Sequence, residues 1–351
     1  MDNAPRVRLD PVTELLLDQA GKIIEPVAVL DDVTGSITRE LVKHGHRLRV
    51  WCDDVRAEAH IPTTSLVALA KTPTLTVTGA RTVLWRLPRA VGAVDEYAEL
   101  IAEHADPAVR VISAEREKLL SRSMNTALAK SFASVTVSLG HRKARALLAS
   151  VPRRVESSWP RTARLESLGI EVMAHGATFS TNRLDRGTAL LANCFDQLPN
   201  TATAIDLGCG SGILSTLLAR RGLQVQALDV AWSATDATRR TAEANRVQFE
   251  VDRRDGLDLR TEPVDLIVTN PPFHLRAAKD TSPSRELFHQ AAHVLADGGE
   301  LWCVYNAHLP YLPWLRHEIG PTRIVARSRD YLVTRSRRER RPRIDVDAAS
   351  H

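Results

Sequence analysis

Apolar residues in the second half of the chain alternate between short continuous runs and runs with helical spacing. Helical spacing with end signals occurs at 212–222 (GILSTLLARRG), which ends on glycine, and at 233–245, which begins with serine, a good N-cap. The continuous runs have the length of buried strands and lie at 201–208 (TATAIDLG), 224–230 (QVQALDV), 247–252 (VQFEVD) and 264–270 (VDLIVTN). This alternation predicts a parallel sheet with helices on both faces.

The same alternation continues to residue 336. A helical run at 284–299 (SRELFHQAAHVLADGG) precedes a strand at 300–306 (ELWCVYN) and a helical or irregular segment at 307–320. Two further strand runs, 322–328 and 331–336, are separated by only two residues, which predicts a hairpin with antiparallel pairing. We therefore expect a mostly parallel sheet of seven strands.

The first half repeats this order of elements. A strand, a turn and a helix occupy 26–45, a later helix is expected at 93–107, and further strands are expected at 47–54 (RLRVWCDD), 74–79 (TLTVTG), 81–90 (RTVLWRLPRA) and 108–117 (AVRVISAERE). However, DDVTGS stands where the second half has DLGCGSG, and RLPR stands where it has NPPF. We interpret the first half as a duplicated domain that has lost its chemistry; two unrelated α/β domains are the alternative.

Proline and serine are concentrated between the two halves, at Pro152, Ser157, Ser158 and Pro160. Such residues favour turns and loops over helix or strand interiors. We therefore expect an N-terminal domain at 1–150, a linker at 151–170 and a C-terminal domain at 171–351.

Positive charge is concentrated in two stretches of a chain whose formal net charge is +5. The stretch at 141–164 has a net charge of +6 and the stretch at 335–343 has +5, so the remainder has a net charge of −6. Local arginine suits a polyanion, because phosphate contacts neutralise charge and release counterions. The alternative is that both stretches are simply solvated, the first as a linker and the second as a tail.

The cysteines and the apolar runs narrow the class of protein. The four cysteines lack the spacing of metal or redox motifs, which fits a reducing compartment. The sequence has no run of about 20 apolar residues, the length of a membrane span. The first residues also lack the basic and apolar regions of a signal peptide. We expect a cytoplasmic protein without metal or membrane contact.

The sequence AIDLGCGSG is a candidate cofactor site. Asp206 ends the first strand of the second half, and Gly208, Gly210 and Gly212 form the turn into the next helix. Glycines allow positive φ and let a ligand approach the backbone closely. Ile213 breaks the dinucleotide fingerprint, and an acid two residues before the first glycine would repel a pyrophosphate. The acid suits a ligand with an ammonium group, such as the methionine part of S-adenosylmethionine.

Two further acids follow the next two strands. Asp229 ends the second strand, 17 residues after Gly212, where a carboxylate can accept both hydrogen bonds of a ribose diol. Capping of the following helix is the alternative. Asp255 follows the third strand at the same sheet edge, where it can accept from an adenine amine; a plain turn aspartate is the alternative.

The fourth strand of the second half ends in an unusual sequence: Asn270, Pro271, Pro272 and Phe273. Two consecutive prolines cannot continue a sheet or a helix interior, so the chain leaves the strand at a fixed angle. The sequence thus places one amide side chain and one aromatic ring on a rigid elbow.

These motifs together resemble the class I S-adenosylmethionine-dependent methyltransferases, in the branch that methylates exocyclic or planar amide nitrogens. FSTNRLDRGTALL (179–191), NPPFH and GGELWCVYNAHLPY (298–311) are similar to bacterial ribosomal RNA guanine-N2 methyltransferases of the small- and large-subunit type. One departure is Thr188, where that family pattern has serine. The resemblance is strong over 179–335 and holds in outline before 150. It implies two tandem Rossmann-like methyltransferase domains, of which the N-terminal copy is degenerate.

The resemblance also implies roles for the NPPF motif. The side-chain oxygen of Asn270 and the carbonyl of Pro271 each accept one N–H of the target amine, which favours a pyramidal nitrogen whose lone pair points at the methyl group. The elbow at Pro271 and Pro272 fixes both acceptors, and Phe273 can stack on a flipped base. The sulfonium is a strong leaving group, so no metal or strong base is required, and we interpret His274 as an outer or surface residue.

We therefore expect a monomeric cytoplasmic enzyme that transfers a methyl group from S-adenosylmethionine to guanine N2 of ribosomal RNA. Its partner is free ribosomal RNA or a ribosomal subunit, and the N-terminal domain holds RNA or supports the C-terminal domain. The enzyme alternatives are adenine-N6 and protein glutamine methylation. The alternative from another class is a non-catalytic RNA-binding assembly factor.

Overall fold

The computed structural model describes residues 9–257, 262–271 and 282–339. The chain divides into two compact units, each with its own sheet and hydrophobic core. The first unit combines residues 1–161 with the short segments 174–181 and 231–233, and the second combines 162–173, 182–230 and 234–351.

Helices and strands alternate along the first unit. Its helices are α1 (Pro11–Ala20), α2 (Ser36–Lys43), α3 (Val55–Glu58), α4 (Pro73–Val77), α5 (Val91–His104) and α6 (Arg122–Ser131). Its strands are β1 (Val27–Leu30), β2 (Leu48–Trp51), β3 (Val67–Leu69), β4 (Thr82–Arg86), β5 (Arg110–Arg116), β6 (Phe132–Val137) and β7 (Ala144–Pro152). They form one sheet in the order β3-β2-β1-β4-β5-β7-β6, and β7 is antiparallel to both its neighbours.

The third strand of the first unit was predicted at the wrong place. Residues 74–79 do not form a strand, because the side chain of Thr72 accepts from the N–H of Leu75 and caps α4. Pro73 is pre-set for the first position of that helix. The third strand is instead β3, which pairs in parallel with β2.

The basic stretch at 141–164 is largely structured. Residues 144–152 form β7, between β5 and β6, so this part of the stretch is not a linker. The segment that follows includes β8 (Arg161–Leu165), which pairs with β9 (Ile170–Ala174) in a separate two-stranded sheet. The division of the chain at 150 and 171 stays a prediction.

Apolar side chains cover both faces of the first sheet. Along β1, Ala28 and Leu30 pack into one cluster and Val27 and Val29 into the other. Burial on both faces explains why a central parallel strand has a continuous apolar sequence.

The second unit repeats this architecture. The helices that follow β9 are α7 (Arg186–Ala192), α8 (Ile213–Arg220), α9 (Trp232–Ala244), α10 (Ser282–Val294) and α11 (Tyr311–Glu318). The strands are β10 (Thr203–Leu207), β11 (Gln224–Asp229), β12 (Glu250–Arg253), β13 (Val264–Thr269), β14 (Leu295–Asn306), β15 (Thr322–Arg327) and β16 (Tyr331–Arg337). They form one sheet in the order β12-β11-β10-β13-β14-β16-β15.

The two sheets have the same strand order, position by position. The predicted seven-stranded, mostly parallel sheet and its closing hairpin are confirmed, since only β16 runs antiparallel to its neighbours β14 and β15. The order reverses between β10 and β13, and ligands of open α/β sheets bind at the carboxyl ends of strands at such a point.

Two element ends differ from the sequence prediction. The helix expected at 284–299 ends at Val294, because β14 begins at the next residue. The basic stretch at 335–343 includes the end of β16, where Arg335 forms an ion pair with Glu300. Along the described ranges, no helix combines the length and apolar character needed to cross a membrane.

Candidate active site

The turn after β10 is built from glycines with a left-handed backbone. Gly208, Gly210 and Gly212 have φ angles of 78°, 57° and 75°. A Cβ added at Gly208 or Gly210 would meet no described atom within 4 Å, so both face open space. A Cβ at Gly212 would lie 3.0 Å from Cα of Thr238, so this glycine lets α8 begin close against α9. The turn therefore combines an open cradle with a tight helix contact.

Asp206 is buried two residues before this turn, with only 1% of its surface exposed. Its Oδ2 accepts hydrogen bonds from the backbone N–H of Ser215 at 2.9 Å and from the Ser215 hydroxyl. Its Oδ1 is also buried and has no partner in the part of the chain that is described. Burial raises the pKa of Asp206 to about 6, and the carboxylate of Asp229 adds to the rise. A buried acceptor without a donor is unfavourable, and a cationic ligand group satisfies it.

Asp229 lies at the end of β11 and is joined to the glycine turn. Its Oδ2 accepts from the N–H of Gly210 at 3.1 Å. The carbonyl of Gly210 accepts from the hydroxyl of Thr238 at 3.1 Å, which fixes the turn from α9. Asp255 lies in an exposed bend after β12, and the N–H of its neighbour Arg254 donates to the carbonyl of Asp229 at 2.9 Å. The loops after β10, β11 and β12 therefore meet at one sheet edge.

The burial of Arg254, the residue before Asp255, was not expected from the sequence. Its Nε and one Nη are buried, and no residue of the described ranges accepts a hydrogen bond from them. A buried cation without a partner is unfavourable. The sequence RRDG gives no signal for this burial, because it has the composition of an ordinary solvated turn.

Asn270 follows β13 with its amide held in one orientation. Its Nδ2 donates to Oδ2 of Asp185 at 3.1 Å and to the hydroxyl oxygen of Thr188 at 3.0 Å. Its Oδ1 is buried without a hydrogen-bond partner in the described structure. Pro271 is buried next to it. Pro272 and Phe273, together with His274, lie outside the described residues.

Asp185 both caps α7 and contacts Asn270. The same Oδ2 atom accepts from the backbone N–H groups of Gly187 at 2.9 Å and Thr188 at 3.0 Å, which leaves α7 well capped. Asp185 and Thr188 lie in the segment 179–191 that resembles the family pattern, but no role was expected for them. The signal available was an aspartate at an N-cap position before an apolar run, which predicts a helix start and not a contact with another strand.

Strand register brings Asn270 and the glycine turn together. Strands β10 and β13 are parallel neighbours, with Leu207 opposite Thr269. Gly208 and Asn270 each continue one residue past that pair. The hydroxyl of Thr269 donates to the carbonyl of Leu207 at 2.7 Å and ties the two strand ends. The candidate cofactor turn and the candidate catalytic amide thus share the point where the strand order reverses.

The corresponding turn of the first unit has different chemistry. The N–H of Asp31 donates to the carbonyl of Trp51 in β2, as the N–H of Gly208 donates to Leu228 in β11. Asp31 therefore corresponds to Gly208, and Val29 corresponds to Asp206. Aligning the two motifs DDVTGS and DLGCGSG by their first aspartate would instead have paired Asp31 with Asp206. This turn has a carboxylate where the second unit has an open cradle, and an apolar side chain where the second unit has the buried acid.

Within 9–257, 262–271 and 282–339, no three His, Cys, Asp or Glu side chains are grouped as metal ligands. The described polar groups of the site are instead suited to hydrogen-bonding an organic ligand.

Two family models match the chain. Residues 169–335 match the Methyltransferase small domain, and residues 10–153 match the RLMG N-terminal domain. The first match runs from β9 into β16, and the second runs from α1 to the end of β7.

Curated relatives match about half of the chain. The ribosomal RNA small subunit methyltransferase C of Alcanivorax borkumensis is 36% identical over 174 residues, which are 49% of this chain and 54% of that protein. The same-named protein of Pseudomonas paraeruginosa is 39% identical over 171 residues, 48% of this chain and 51% of that protein. The chain therefore spans about half the length of the curated relatives it matches.

A solved structure has the same fold over nearly the whole chain. The 16S rRNA N2 methyltransferase of T. thermophilus, in complex with AdoMet and guanosine, matches with a TM-score of 0.79 and 20% identity. The match covers 95% of this chain and 93% of that one. The expected fold, two tandem Rossmann-like units with seven-stranded mostly parallel sheets, is confirmed. Residues 10–153 thus match an RLMG N-terminal domain and residues 169–335 a methyltransferase small domain, and the sequence-based resemblance to ribosomal RNA methyltransferases is confirmed.

Proposed function

We propose that this chain is an S-adenosylmethionine-dependent methyltransferase that acts on the exocyclic N2 amine of a guanine in ribosomal RNA, in the cytoplasm. The observation that carries the proposal is the orientation of Asn270. Its Nδ2 is engaged by Asp185 and Thr188, which leaves the buried Oδ1 as the acceptor for a target N–H. The names of the curated relatives and the guanosine complex of the similar structure support the choice of base and of RNA.

The residues of the glycine turn fit S-adenosylmethionine. The unpartnered Oδ1 of Asp206 accepts from the ammonium group of the cofactor, while Gly208 and Gly210 leave room for the ligand beside the backbone. Asp229 accepts from the ribose diol, as acids at this position do in other doubly wound folds. Asp255 accepts from the adenine amine. Gly212 acts indirectly, because it lets α8 start close to α9.

The cofactor supplies an electrophilic methyl group on a positively charged sulfur. The guanine amine is a poor nucleophile, because its lone pair is delocalised into the ring. Asn270 Oδ1 and the Pro271 carbonyl each accept one N–H, which favours a pyramidal nitrogen directed at the methyl carbon. Held by Asp206, Asp229 and the glycine turn, the cofactor would supply a methyl group whose transfer leaves the electron pair of the C–S bond on sulfur, while the amine would lose one proton to solvent. For Pro272 and Phe273, outside the described residues, the roles of elbow and base stacking stay as expected from sequence.

The first unit has no part in the chemistry under this proposal. It supports binding of ribosomal RNA, free or in a subunit, to a monomeric enzyme. Exposed arginines of the 141–164 stretch supply phosphate contacts.

Identification of the methylated nucleoside tests the proposal. The purified full chain is incubated with methyl-labelled S-adenosylmethionine and with unmethylated ribosomal RNA, either free or in assembled small subunits, and the RNA is digested to nucleosides. We expect label in N2-methylguanosine. Label in N6-methyladenosine would change the assigned base, and absence of transfer to both forms of RNA would overturn the proposal.

A further inference from the structure

We propose that Asp185 and Thr188 are positioning residues for methyl transfer, which act by fixing the amide of Asn270 with its oxygen toward the target amine. The inference rests on the proposed function, because it assigns the same amide oxygen to the reaction. It adds two residues that contact the amide of Asn270.

Two side chains accept hydrogen bonds from Nδ2 of Asn270. Oδ2 of Asp185 accepts from Nδ2 at 3.1 Å, and Oγ1 of Thr188 accepts from it at 3.0 Å. The Thr188 hydroxyl is also 3.5 Å from the same Asp185 oxygen. Nδ2 of Asn270 therefore has two acceptors among the described residues.

The opposite orientation of the amide is unfavourable. An ionised carboxylate can only accept hydrogen bonds. Rotation of the Asn270 amide would place Oδ1 against Oδ2 of Asp185, two acceptors in contact, and both hydrogen bonds of Nδ2 would be lost. The target would then meet two N–H donors that repel its own N–H groups.

The backbone of α7 holds Asp185 in place for this task. The N–H groups of Gly187 and Thr188 donate to the Oδ2 atom that contacts Asn270, so the cap and the amide contact share one oxygen. A Cβ at Gly187 would come within 3.0 Å of that oxygen and 3.1 Å of the Tyr331 ring, so glycine leaves the contact undisturbed. Thr188 is 9% exposed, which protects its hydrogen bond from water.

Two pairs of variants separate positioning from helix capping. Thr188→Val removes the hydroxyl but keeps the shape of the side chain and the Asp185 cap, whereas Thr188→Ser keeps the hydroxyl. Asp185→Asn keeps an oxygen for both the cap and Asn270, whereas Asp185→Ala removes it. Thr76→Val serves as a matched control, because Thr76 is a fully buried helical threonine of the other unit, in α4.

Each variant is assayed as the full chain for kcat and KM with ribosomal RNA, for S-adenosylmethionine affinity by calorimetry, and for thermal unfolding. We expect Thr188→Val to lower kcat about 10-fold or more, the usual effect of losing a group that orients a site residue. Its cofactor affinity should stay within about twofold, because Thr188 does not touch the glycine turn. Thr188→Ser should recover most of the kcat, and the kcat of Asp185→Asn should exceed that of Asp185→Ala. The kcat of Thr76→Val should match that of the unmodified chain.

Equal kcat values for Thr188→Val and Thr188→Ser would overturn the inference, as would a fall in kcat matched by equal losses of cofactor affinity and unfolding temperature. These outcomes differ from failure of the proposed function, which appears in the unmodified chain. If the unmodified chain methylates another amine and the variant order holds, the positioning role stands and the assigned base is wrong. If the unmodified chain transfers no methyl group, both are overturned.

Discussion

Asp31 of the first unit and Gly208 of the second occupy the same backbone position in their respective sheets. The N–H of each donates to the carbonyl at the end of the neighbouring strand, at 2.9 Å to Trp51 and 2.8 Å to Leu228. Both have positive φ, 56° for Asp31 and 78° for Gly208. The two sheets thus share their turn geometry, but the first unit has a side chain where the second leaves room for a ligand.

This difference predicts one cofactor site per chain. Asp206→Ala should weaken S-adenosylmethionine binding by about 10-fold or more, because it removes a charged partner of the ammonium group. Asp31→Ala, which removes the carboxylate from the corresponding turn of the first unit, should leave the affinity unchanged. Calorimetry measures both affinities and the stoichiometry, and a titration with two sites per chain would contradict the degenerate copy.

Cofactor binding should weaken as pH falls through about 6. Burial raises the pKa of Asp206 to about 6 from 3.8. Between these two pH values the folded chain therefore keeps a proton on this carboxyl group that the unfolded chain has released. The raised pKa therefore stabilises the folded chain less as pH rises from 3.8 to 6, whereas the ammonium of the cofactor binds the ionised form. Affinity measured from pH 7.5 to pH 5 should fall, and Asp206→Asn should remove this part of the dependence. A profile identical in the two proteins would assign the pH effect to another group.

Alanine substitutions at Gly208 and Gly212 should separate the space left for the ligand at the turn from the packing of the helices. Both substitutions place a Cβ at positive φ, which costs roughly 1–2 kcal/mol. Gly212→Ala should lower the unfolding temperature further, because its Cβ would lie 3.0 Å from the backbone of Thr238. Gly208→Ala should mainly lower cofactor affinity, since its Cβ enters open space. The reverse ranking in calorimetry and thermal unfolding would contradict the ligand cradle.

Arginines of the basic stretch should differ in their effect on RNA. Arg153, Arg154 and Arg161 are all exposed, but the guanidinium of Arg161 lies 3.9 Å over the Trp159 ring and 3.3 Å from Asp95. Changing Arg153 and Arg154 together to Gln should lower the slope of log affinity against log salt by roughly 1.4–1.8, at 0.7–0.9 per phosphate contact. Arg161→Gln, the control, should change it less. An unchanged slope in the double variant would mean that RNA binds elsewhere.

The motifs of the second half could be predicted because each lies where a strand ends. The alternation of strands and helices predicted a parallel sheet, and the carboxyl ends of parallel strands share one edge. Asp206, Asp229 and Asn270 were therefore expected at that edge. The hydrogen bonds of Asp185 to Asn270 could not be predicted. They join a helix start to a strand end 85 residues later, and only the packed fold brings these two ends together.

The errors have local physical causes. Threonine and valine at 74–79 have high β propensity, but Thr72 and Pro73 supply a helix start that outweighs it. Strand β7 was not predicted because charged residues flank its short apolar sequence at 146–149. The whole stretch therefore had the composition of a basic linker. Asp31 was aligned with Asp206 because both motifs begin with an aspartate. The hydrogen-bond register, which cannot be read from the sequence, instead aligns Asp31 with Gly208.

The most direct test of the account is methyl transfer by Asn270→Ala, measured together with its affinity for S-adenosylmethionine. The account predicts that transfer to RNA falls by on the order of 100-fold or more, because one preorganised acceptor of the target amine is lost. Cofactor affinity should stay within a few-fold, since Asp206 and the glycine turn are unchanged. Transfer close to that of the unmodified chain, or a loss of transfer fully explained by lost cofactor binding, would contradict the central role of Asn270.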